Sequence, residues 1–281
     1  MDMLVSTQWL AGELGARDLV VIDASAHLPA ANRDPAADFS AAHIPGARFL
    51  DLPTLFDPDS PVPSAIPTRE QLQRRLRSLG VNAGDRIVCY DDSMVKTSAR
   101  AWFILRHYGC EEIAILDGGL AKWRAEGRPT DSGPVEVDAG DIALGDAQGA
   151  VRSKADMLAN IATAREQVID ARDAGRFTGA TIDTVHNLPG GHIPGARNVF
   201  FADLYAEDGT FRSRHELARA FEAAGVDITR PIATTCGGGV TAAVLLFALE
   251  LIGHGGNALY DGSWSEWGAD PDTPKATGPA A

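Results

Sequence analysis

Short, continuous apolar runs alternate along the chain with longer segments in which apolar residues recur every three or four positions. Leu19–Asp23 and Gln167–Asp170 are runs of the first kind, and each ends at an aspartate. Such runs are typical of strands in a parallel sheet, where both faces of a strand are buried. Segments of the second kind begin at Thr68 and Ser213, each with a capping box, in which a Gln or Glu follows three positions later. The pattern predicts an α/β protein with mostly parallel sheets.

The same pattern occurs twice, in the same order. His43–Ala47 and His192–Ala196 are the same pentapeptide, and the Asp-Gly motif at Asp117 returns at Asp261. Matching elements of the two halves lie 144 to 149 positions apart. A repeat of this length, with strands and helices in each copy, predicts a tandem duplication of one α/β domain.

The repeat predicts the domain limits. We expect an N-terminal domain over residues 1–135 and a C-terminal domain over residues 151–272. Residues 136–150 are interpreted as a linker, because this stretch is rich in Gly and Asp and has no apolar periodicity. Residues 273–281 are interpreted as a flexible tail.

Cys236 lies between a predicted strand, Ile232–Thr235, and a predicted helix that begins near Val240. The three residues between the cysteine and the helix are all glycine. Three glycines in succession are costly in backbone entropy, but they permit positive φ and a close approach to the backbone. A loop that curls in this way, followed by a helix N-terminus, presents N–H groups to an anion. We therefore predict that Cys236 is a nucleophile whose thiolate is stabilised by this loop.

The first half lacks this arrangement. When the Asp-Gly motifs are aligned with a shift of 144 positions, Asp92 stands where the second half has Cys236, and Ser93-Met94-Val95 replaces the glycines. We therefore expect the N-terminal half to be non-catalytic and to cover the site. Open α/β sheets bind ligands at the carboxyl ends of their strands, so an active crevice is expected there, at the C-terminal domain.

Charge and cysteine content narrow the classes of partner. The formal net charge of −13 argues against a nucleic acid or an anionic membrane as the partner. Three cysteines without a Cys-x-x-Cys pair predict neither a disulfide framework nor a zinc site, and we expect no metal and no cofactor. Because no signal peptide is evident, and because the longest apolar run, Ala242–Leu249, is short, we expect a cytoplasmic protein. The sequence leaves the oligomeric state open.

Four motifs follow one another in the second half: Asp170-Ala-Arg172-x-x-x-Arg176-Phe, Gly191-His-Ile-Pro-Gly-Ala196, Cys236-Gly-Gly-Gly-Val-Thr-Ala242 and Asp261-Gly-Ser-Trp264. As a set they resemble the tandem-domain rhodanese sulfurtransferases, the family of thiosulfate and 3-mercaptopyruvate sulfurtransferases. The resemblance extends from about Val5 to Trp267. It implies two tandem rhodanese-like domains, each a mostly parallel sheet flanked by helices.

The resemblance also implies an activity. Cys236 would take a sulfane sulfur from a small anionic donor, thiosulfate or 3-mercaptopyruvate, and carry it as a persulfide in a ping-pong reaction. The acceptor would be thiophilic: cyanide, a thiol or thioredoxin. Arg176 would bind the sulfonate or carboxylate of the donor. The outer sulfur would be held by the backbone N–H groups of five successive residues: Gly237, Gly238, Gly239, Val240 and Thr241.

The sequence leaves open whether thiosulfate or 3-mercaptopyruvate is the preferred donor. A loop without a cation after the cysteine resembles the members that prefer mercaptopyruvate. Three positions depart from that pattern, however. Gly238 stands where a serine is frequent, Val185 replaces a second donor-binding arginine, and Ser64 replaces a histidine of the first half. Whether Ser64, Arg172 and Asp51 contribute to the site stays open. We interpret Arg172 as structural and Asp51 as an ordinary carboxylate at a strand end.

Two other functions fit parts of the pattern. A non-catalytic sulfur-binding or interaction module would look similar in sequence. A cysteine phosphatase would need an arginine six positions after its nucleophile to bind phosphate, and that position is Ala242. Cys89 and Cys110 are interpreted as inert buried thiols. His43 and His192 occur in both halves, including the half without a nucleophile, so a turn-fixing role is expected.

Overall fold

The computed structural model describes residues 1–280 and divides into two compact units. Unit 1 comprises Met1–Asp57, Ile66–Gln148 and Ala206–Phe211, and unit 2 comprises Pro58–Ala65, Gly149–Tyr205 and Arg212–Ala281. Each unit contains one five-stranded sheet with helices around it, and the paired strands of both sheets are parallel. The predicted fold class is confirmed.

The sheet of unit 1 has the strand order β1-β5-β4-β2-β3. Its strands are β1 (Leu4–Val5), β2 (Leu19–Asp23), β3 (Arg48–Phe49), β4 (Arg86–Tyr90) and β5 (Ile113–Leu116). Its helices are α1 (Thr7–Glu13), α2 (Pro35–Ala41), α3 (Arg69–Ser78), α4 (Ser98–His107) and α5 (Gly119–Ala125).

The sheet of unit 2 has the equivalent order, β6-β10-β9-β7-β8. Its strands are β6 (Ala150–Arg152), β7 (Gln167–Asp170), β8 (Arg197–Asn198), β9 (Ile232–Thr235) and β10 (Ala258–Tyr260). Its helices are α6 (Lys154–Thr163), α7 (Ala174–Thr178), α8 (Arg214–Ala223), α9 (Val240–Leu251) and α10 (Ser263–Trp267). The apolar runs of β7 and β9 are buried in the middle of this sheet, so the end of β9 is a rigid place for a reactive group.

Local sequence signals explain where the main helices begin. Both predicted capping boxes are present: Thr68 and Gln71 start α3, and Ser213 and Glu216 start α8. α9 is apolar around its whole circumference and is almost wholly buried, as expected for a helix enclosed by its domain.

The two pentapeptide histidines have the same surroundings in their respective units. His43 Nδ1 lies 2.8 Å from the carbonyl oxygen of Phe39, and its ring stacks on that phenylalanine. His192 Nδ1 lies 2.9 Å from the carbonyl oxygen of Phe177, with the same stacking. Both rings are buried. These contacts agree with the expected turn-fixing role.

The expected linker and the expected tail both make hydrogen bonds to the rest of their units. In the expected linker, Ile142 is buried and its N–H donates to the carbonyl oxygen of Val81. In the expected flexible tail, Ala276 forms an antiparallel bridge with His192, and the Trp267 indole donates to the Pro274 carbonyl oxygen at 2.8 Å. Residues 273–280 therefore supply hydrogen-bond partners to buried polar groups of unit 2. Residue 281 lies outside the described residues.

Among residues 1–280, none of the helices combines the length and the apolar character that crossing a membrane would require.

Candidate active site around Cys236

Cys236 directly follows β9, and its side chain is 2% exposed. Hydrogen bonds tie its backbone to the start of α10. The Cys236 N–H donates to Ser263 Oγ at 3.1 Å, and the Cys236 carbonyl oxygen accepts from the Trp264 N–H at 3.0 Å. The next carbonyl oxygen, of Gly237, accepts from the Ser265 N–H at 2.8 Å. The position of the sulfur is therefore fixed by both the strand before it and the helix α10 opposite.

The three glycines after the cysteine meet different requirements. Gly239 has a φ of +78° and is the N-cap of α9, which agrees with the expected need for positive φ. Gly237 and Gly238 do not have positive φ. A Cβ on Gly237 would overlap the ring of His186, and one on Gly238 would lie 3.3 Å from His186 Nε2. Gly237 is thus required by the close approach of a side chain.

The remaining predicted loop residues begin α9. Val240 is the first residue of this 12-residue helix and Thr241 is the second. The first N–H groups of a helix have no acceptor inside the helix, and they carry its positive end. Val240 and Thr241 therefore supply N–H groups at the positive end of the helix that follows Cys236, four and five residues after it in the sequence.

Strand register identifies the residue of unit 1 that corresponds to the cysteine. The aspartates that end β2 and β7 pair with Tyr90 of β4 and Thr235 of β9, respectively. The next residues, Asp91 and Cys236, therefore correspond to each other. The prediction that Asp92 occupies this position is wrong by one residue. It relied on the Asp-Gly motifs, and unit 1 has one residue more between β4 and its motif than unit 2 has after β9.

The Asp91 carboxylate is bound by the loop in which it lies. Its oxygens accept from the Ser93 N–H at 2.9 Å and from the Ser98 N–H at 2.8 Å. Ser98 is the first residue of α4. The strand–loop–helix unit of this fold therefore binds an anionic group at the position of residue 91, with backbone N–H groups as donors.

Arg172 is buried and pairs with Asp170. Its Nη2 lies 2.6 Å from Asp170 Oδ2 and donates to the Gly191 carbonyl oxygen at 2.6 Å. The guanidinium also stacks on Trp264, at 4.5 Å from the ring centroid. Burial lowers the pKa of Arg172, but Asp170, Asp183 and the sulfur of Cys236 together raise it above its usual value. These contacts agree with a structural role, and they also bring the Arg172 charge within electrostatic reach of the sulfur.

Unit 1 has no equivalent of this pair. Position 25, two residues after the aspartate that ends β2, is a serine, and its N–H donates to Asp23 Oδ1 at 2.9 Å. Burial raises the pKa of Asp23, although hydrogen bonds from Ser25 oppose the shift. The arginine is therefore specific to the half that contains the cysteine.

Arg176 lies in α7 with part of its side chain exposed. Its Nε donates to Asp173 Oδ2 at 2.6 Å, and its Nη1 lies 3.7 Å from Asp183 Oδ2. Burial raises the pKa of Asp173, but the hydrogen bonds and charge of Arg176 outweigh that effect and lower it. The guanidinium is therefore held by two carboxylates, and the Arg176 side chain is 21% exposed.

Asp183 and His186 were not identified from the sequence. Asp183 is fully buried, and its Oδ1 lies 3.0 Å from His186 Nδ1. The same oxygen accepts from the N–H groups of Val185 and His186. Burial raises the pKa of Asp183, but the bonds from His186 and the charge of Arg176 bring it to about 2. An Asp-x-x-His spacing in a segment without periodicity was the only available signal.

Ser263 is a third residue that was not identified from the sequence. It is buried with a φ of +49°, a conformation that costs a non-glycine residue about 1 kcal/mol or more. Its Oγ donates to the Tyr260 carbonyl oxygen at 2.9 Å and lies 3.9 Å from Cys236 Sγ. Unit 1 has Gly119 here, with a φ of +57°. A serine where the first Asp-Gly motif has a glycine was the signal that could have revealed it.

The rhodanese-like domain family matches this chain at residues 6–126 and 153–270. The chain belongs to the rhodanese-like family. The 3-mercaptopyruvate sulfurtransferase of Escherichia coli strain K12 is 38% identical over 96% of both chains. The human protein of the same name is 34% identical over 94% of this chain and 91% of its own length. A chicken thiosulfate sulfurtransferase is 35% identical over 94% of this chain and 92% of its own length.

Solved structures agree with this assignment. A crystal structure of an Escherichia coli 3-mercaptopyruvate sulfotransferase matches with a TM-score of 0.85 and 36% sequence identity, over 94% of this chain and 99% of that one. The Tum1 protein of Saccharomyces cerevisiae matches with a TM-score of 0.89 and 26% identity, over 99% of both chains. The chain is thus an enzyme of the sulfurtransferase class, of the thiosulfate or 3-mercaptopyruvate type.

Val185, in place of a second arginine, is 41% exposed. Ser64 is exposed with a φ of +54° in unit 2, and Asp51 is partly buried in unit 1, where its backbone oxygen accepts from Arg75.

The two remaining thiols are less acidic than an ordinary cysteine. Cys89 is buried in β4, and burial raises the pKa of its thiol. Cys110 lies just after α4, and burial raises the pKa of its thiol to about 11. Both are therefore protonated at neutral pH, as expected for inert thiols.

Proposed function

We propose that the chain transfers a sulfane sulfur from a small anionic donor to a thiophilic acceptor through a persulfide on Cys236. The main support for this proposal is the way in which the loop of unit 1 binds the Asp91 carboxylate. In unit 1 the loop after β4 binds the side-chain carboxylate of Asp91 through backbone N–H groups. In unit 2 the corresponding residue is a cysteine, so the loop can stabilise a thiolate, or the terminal sulfur of a persulfide, in the same way.

Sulfur transfer requires little more than stabilisation of an anionic sulfur by these N–H groups. The Cys236 thiolate attacks the outer sulfur of the donor, and the persulfide that forms is itself an anion. The N–H groups of residues 237 to 241 act as hydrogen-bond donors to it, and the buried charge of Arg172 favours the same negative charge. The acceptor, which we propose to be a thiol, thioredoxin or cyanide, then removes the sulfur and completes a ping-pong cycle.

We propose 3-mercaptopyruvate as the preferred donor, with thiosulfate as the alternative. Gly237 and Gly238 contribute no positive charge to the loop, so the dianionic thiosulfate gains nothing from it beyond backbone N–H groups. A carboxylate can be bound by a single guanidinium, and we propose that Arg176 supplies it. Relatives with either donor in their names have similar identity to this chain, so the argument relies on the loop and on Arg176.

Mass spectrometry of the intact protein tests the persulfide. After incubation with 3-mercaptopyruvate, or separately with thiosulfate, we expect the mass to rise by one sulfur atom. Added cyanide should remove that sulfur as thiocyanate. A protein carried through the same steps without a donor is the control. If neither donor adds a sulfur, the proposed function is wrong.

Arg176→Ala is expected to raise KM for 3-mercaptopyruvate about 10- to 100-fold, because a hydrogen bond to a charged group contributes roughly 1.5–3 kcal/mol. kcat should change little, since the sulfur and the loop are untouched. Steady-state kinetics measure both constants. Arg165→Ala, a change of an exposed arginine in the same unit, should leave KM as in the wild type. An unchanged KM in Arg176→Ala would remove this residue from the binding site.

A further inference from the structure

The imidazole of His186 lies against the loop that follows Cys236. A Cβ on Gly237 would overlap its Cε1 atom, and a Cβ on Gly238 would lie 3.3 Å from its Nε2 atom. The His186 side chain is 22% exposed. The ring therefore packs against the loop that follows the sulfur, and part of its side chain remains accessible from solvent.

Asp183 fixes the ring and its tautomer. The ionised Asp183 carboxylate lies 3.0 Å from His186 Nδ1 and can only accept a hydrogen bond, so this contact favours the tautomer in which the Nδ1–H group is the donor. The other carboxylate oxygen faces Arg172 Nη1 at 3.9 Å and Arg176 Nη1 at 3.7 Å. Asp183 and these two cations are therefore charged groups close to the ring. With Nδ1 engaged, Nε2 is the nitrogen that can accept and release a proton.

The two donors differ in their need for such a group. With 3-mercaptopyruvate, the S–S bond to Cys236 forms while the donor C–S bond breaks, and the electron pair of that bond passes to the carbon as an enolate. The proton of the donor thiol must leave the sulfur, and the enolate carbon must gain a proton to become the methyl group of pyruvate. With thiosulfate, sulfite leaves with the electron pair of the broken S–S bond, and no proton moves.

We infer that His186 transfers this proton: Nε2 takes it from the thiol of a 2-oxo thiol donor and delivers it to the enolate carbon, while Asp183 holds the ring. The net reaction converts the Cys236 thiolate and the donor into the persulfide anion and pyruvate, with the donor's own proton retained. The inference rests on the proposed persulfide chemistry. It assigns His186 as a catalytic residue for one class of donor and Asp183 as its positioning residue.

Single-turnover loading of Cys236, measured by rapid quench and intact mass, tests the assignment. His186→Gln should slow loading from 3-mercaptopyruvate by about 100-fold or more, the usual contribution of a general acid–base group. Loading from thiosulfate should stay within about twofold of the wild type, because no proton is transferred. His215→Gln, a change of an exposed histidine in α8, is the matched control and should load normally from both donors.

His186→Ala provides a second measurement if the glutamine variant folds poorly. Added imidazole should restore loading of this variant from 3-mercaptopyruvate and leave loading from thiosulfate unchanged. A parallel loss with both donors would show that His186 only supports the loop, and would overturn the assignment. So would normal loading of both variants, or a wild-type protein that is loaded by thiosulfate alone. If the wild type is loaded by neither donor, the proposed function itself fails.

Discussion

Cys236→Ser is expected to reduce sulfur transfer to less than about 10⁻⁴ of the wild-type rate with either donor, as for loss of other essential nucleophiles. A serine hydroxyl is not ionised at neutral pH and cannot carry a sulfane sulfur. The side chain is nearly isosteric and the backbone bonds to Ser263 and Trp264 do not involve the sulfur, so the fold should be retained. Donor-dependent thiocyanate production from cyanide measures the loss, with circular dichroism to check folding.

Cys110→Ser is the matched control for this experiment. Its thiol is partly buried and is kept protonated by a pKa raised to about 11, so it should contribute nothing to catalysis. Wild-type turnover is expected in this variant. A Cys236→Ser protein that still forms a cyanide-sensitive mass increase would place the persulfide on another residue and refute the assignment of Cys236.

Arg172→Met should destabilise unit 2 by about 3–5 kcal/mol, the usual cost of removing one partner of a buried ion pair. The Asp170 carboxylate would remain buried without its cation, and the Gly191 carbonyl oxygen would lose a donor. Hydrogen exchange of the amides in β7 and β9 measures this loss in unit 2 separately. We also expect poorer loading of Cys236, because the charge near the sulfur is removed.

Arg212→Met provides the comparison for a surface arginine in the same unit. Arg212 and its carboxylate partner Glu216 are both exposed, and their closest atoms are 3.9 Å apart. Such pairs contribute less than about 1 kcal/mol. If the β7 and β9 amides were as well protected from exchange in Arg172→Met as in Arg212→Met, the ion pair with Asp170 would not be a main source of stability in unit 2.

The elements of the fold were accessible from the sequence because their signals are local. Leu19–Asp23 and Gln167–Asp170 were predicted as strands, and they are β2 and β7 with the same limits. The capping boxes at Thr68 and Ser213 identified the starts of α3 and α8. A buried strand and a helix cap each depend on a few neighbouring residues, and the internal repeat supplied every signal twice.

The alignment of the two halves was less accurate than the elements themselves. The residue that corresponds to Cys236 was predicted to be Asp92 and is Asp91. A sequence match at the Asp-Gly motif cannot show on which side of that motif an extra residue was inserted. Strand register settles this point, because paired residues in a parallel sheet are determined by the backbone.

The site residues that were not identified from the sequence are brought to the loop by contacts between distant parts of the chain. His186 approaches Gly237 from 51 positions away, and Ser263 bonds to Cys236 from 27 positions away. The Asp-x-x-His spacing at Asp183 and His186 does not indicate that the histidine meets the loop after Cys236. The glycines were read correctly as places of close approach, but the group that approaches Gly237 is a side chain of the protein.

The bound carboxylate of Asp91 distinguishes unit 1 from unit 2, which has a cysteine at the corresponding position. Asp91 is covalently tethered next to the amides that hold it, so its effective concentration there far exceeds that of any dissolved metabolite. A dissolved anion would therefore compete poorly for these amides. We expect unit 1 to bind its own carboxylate in preference to a sulfur compound.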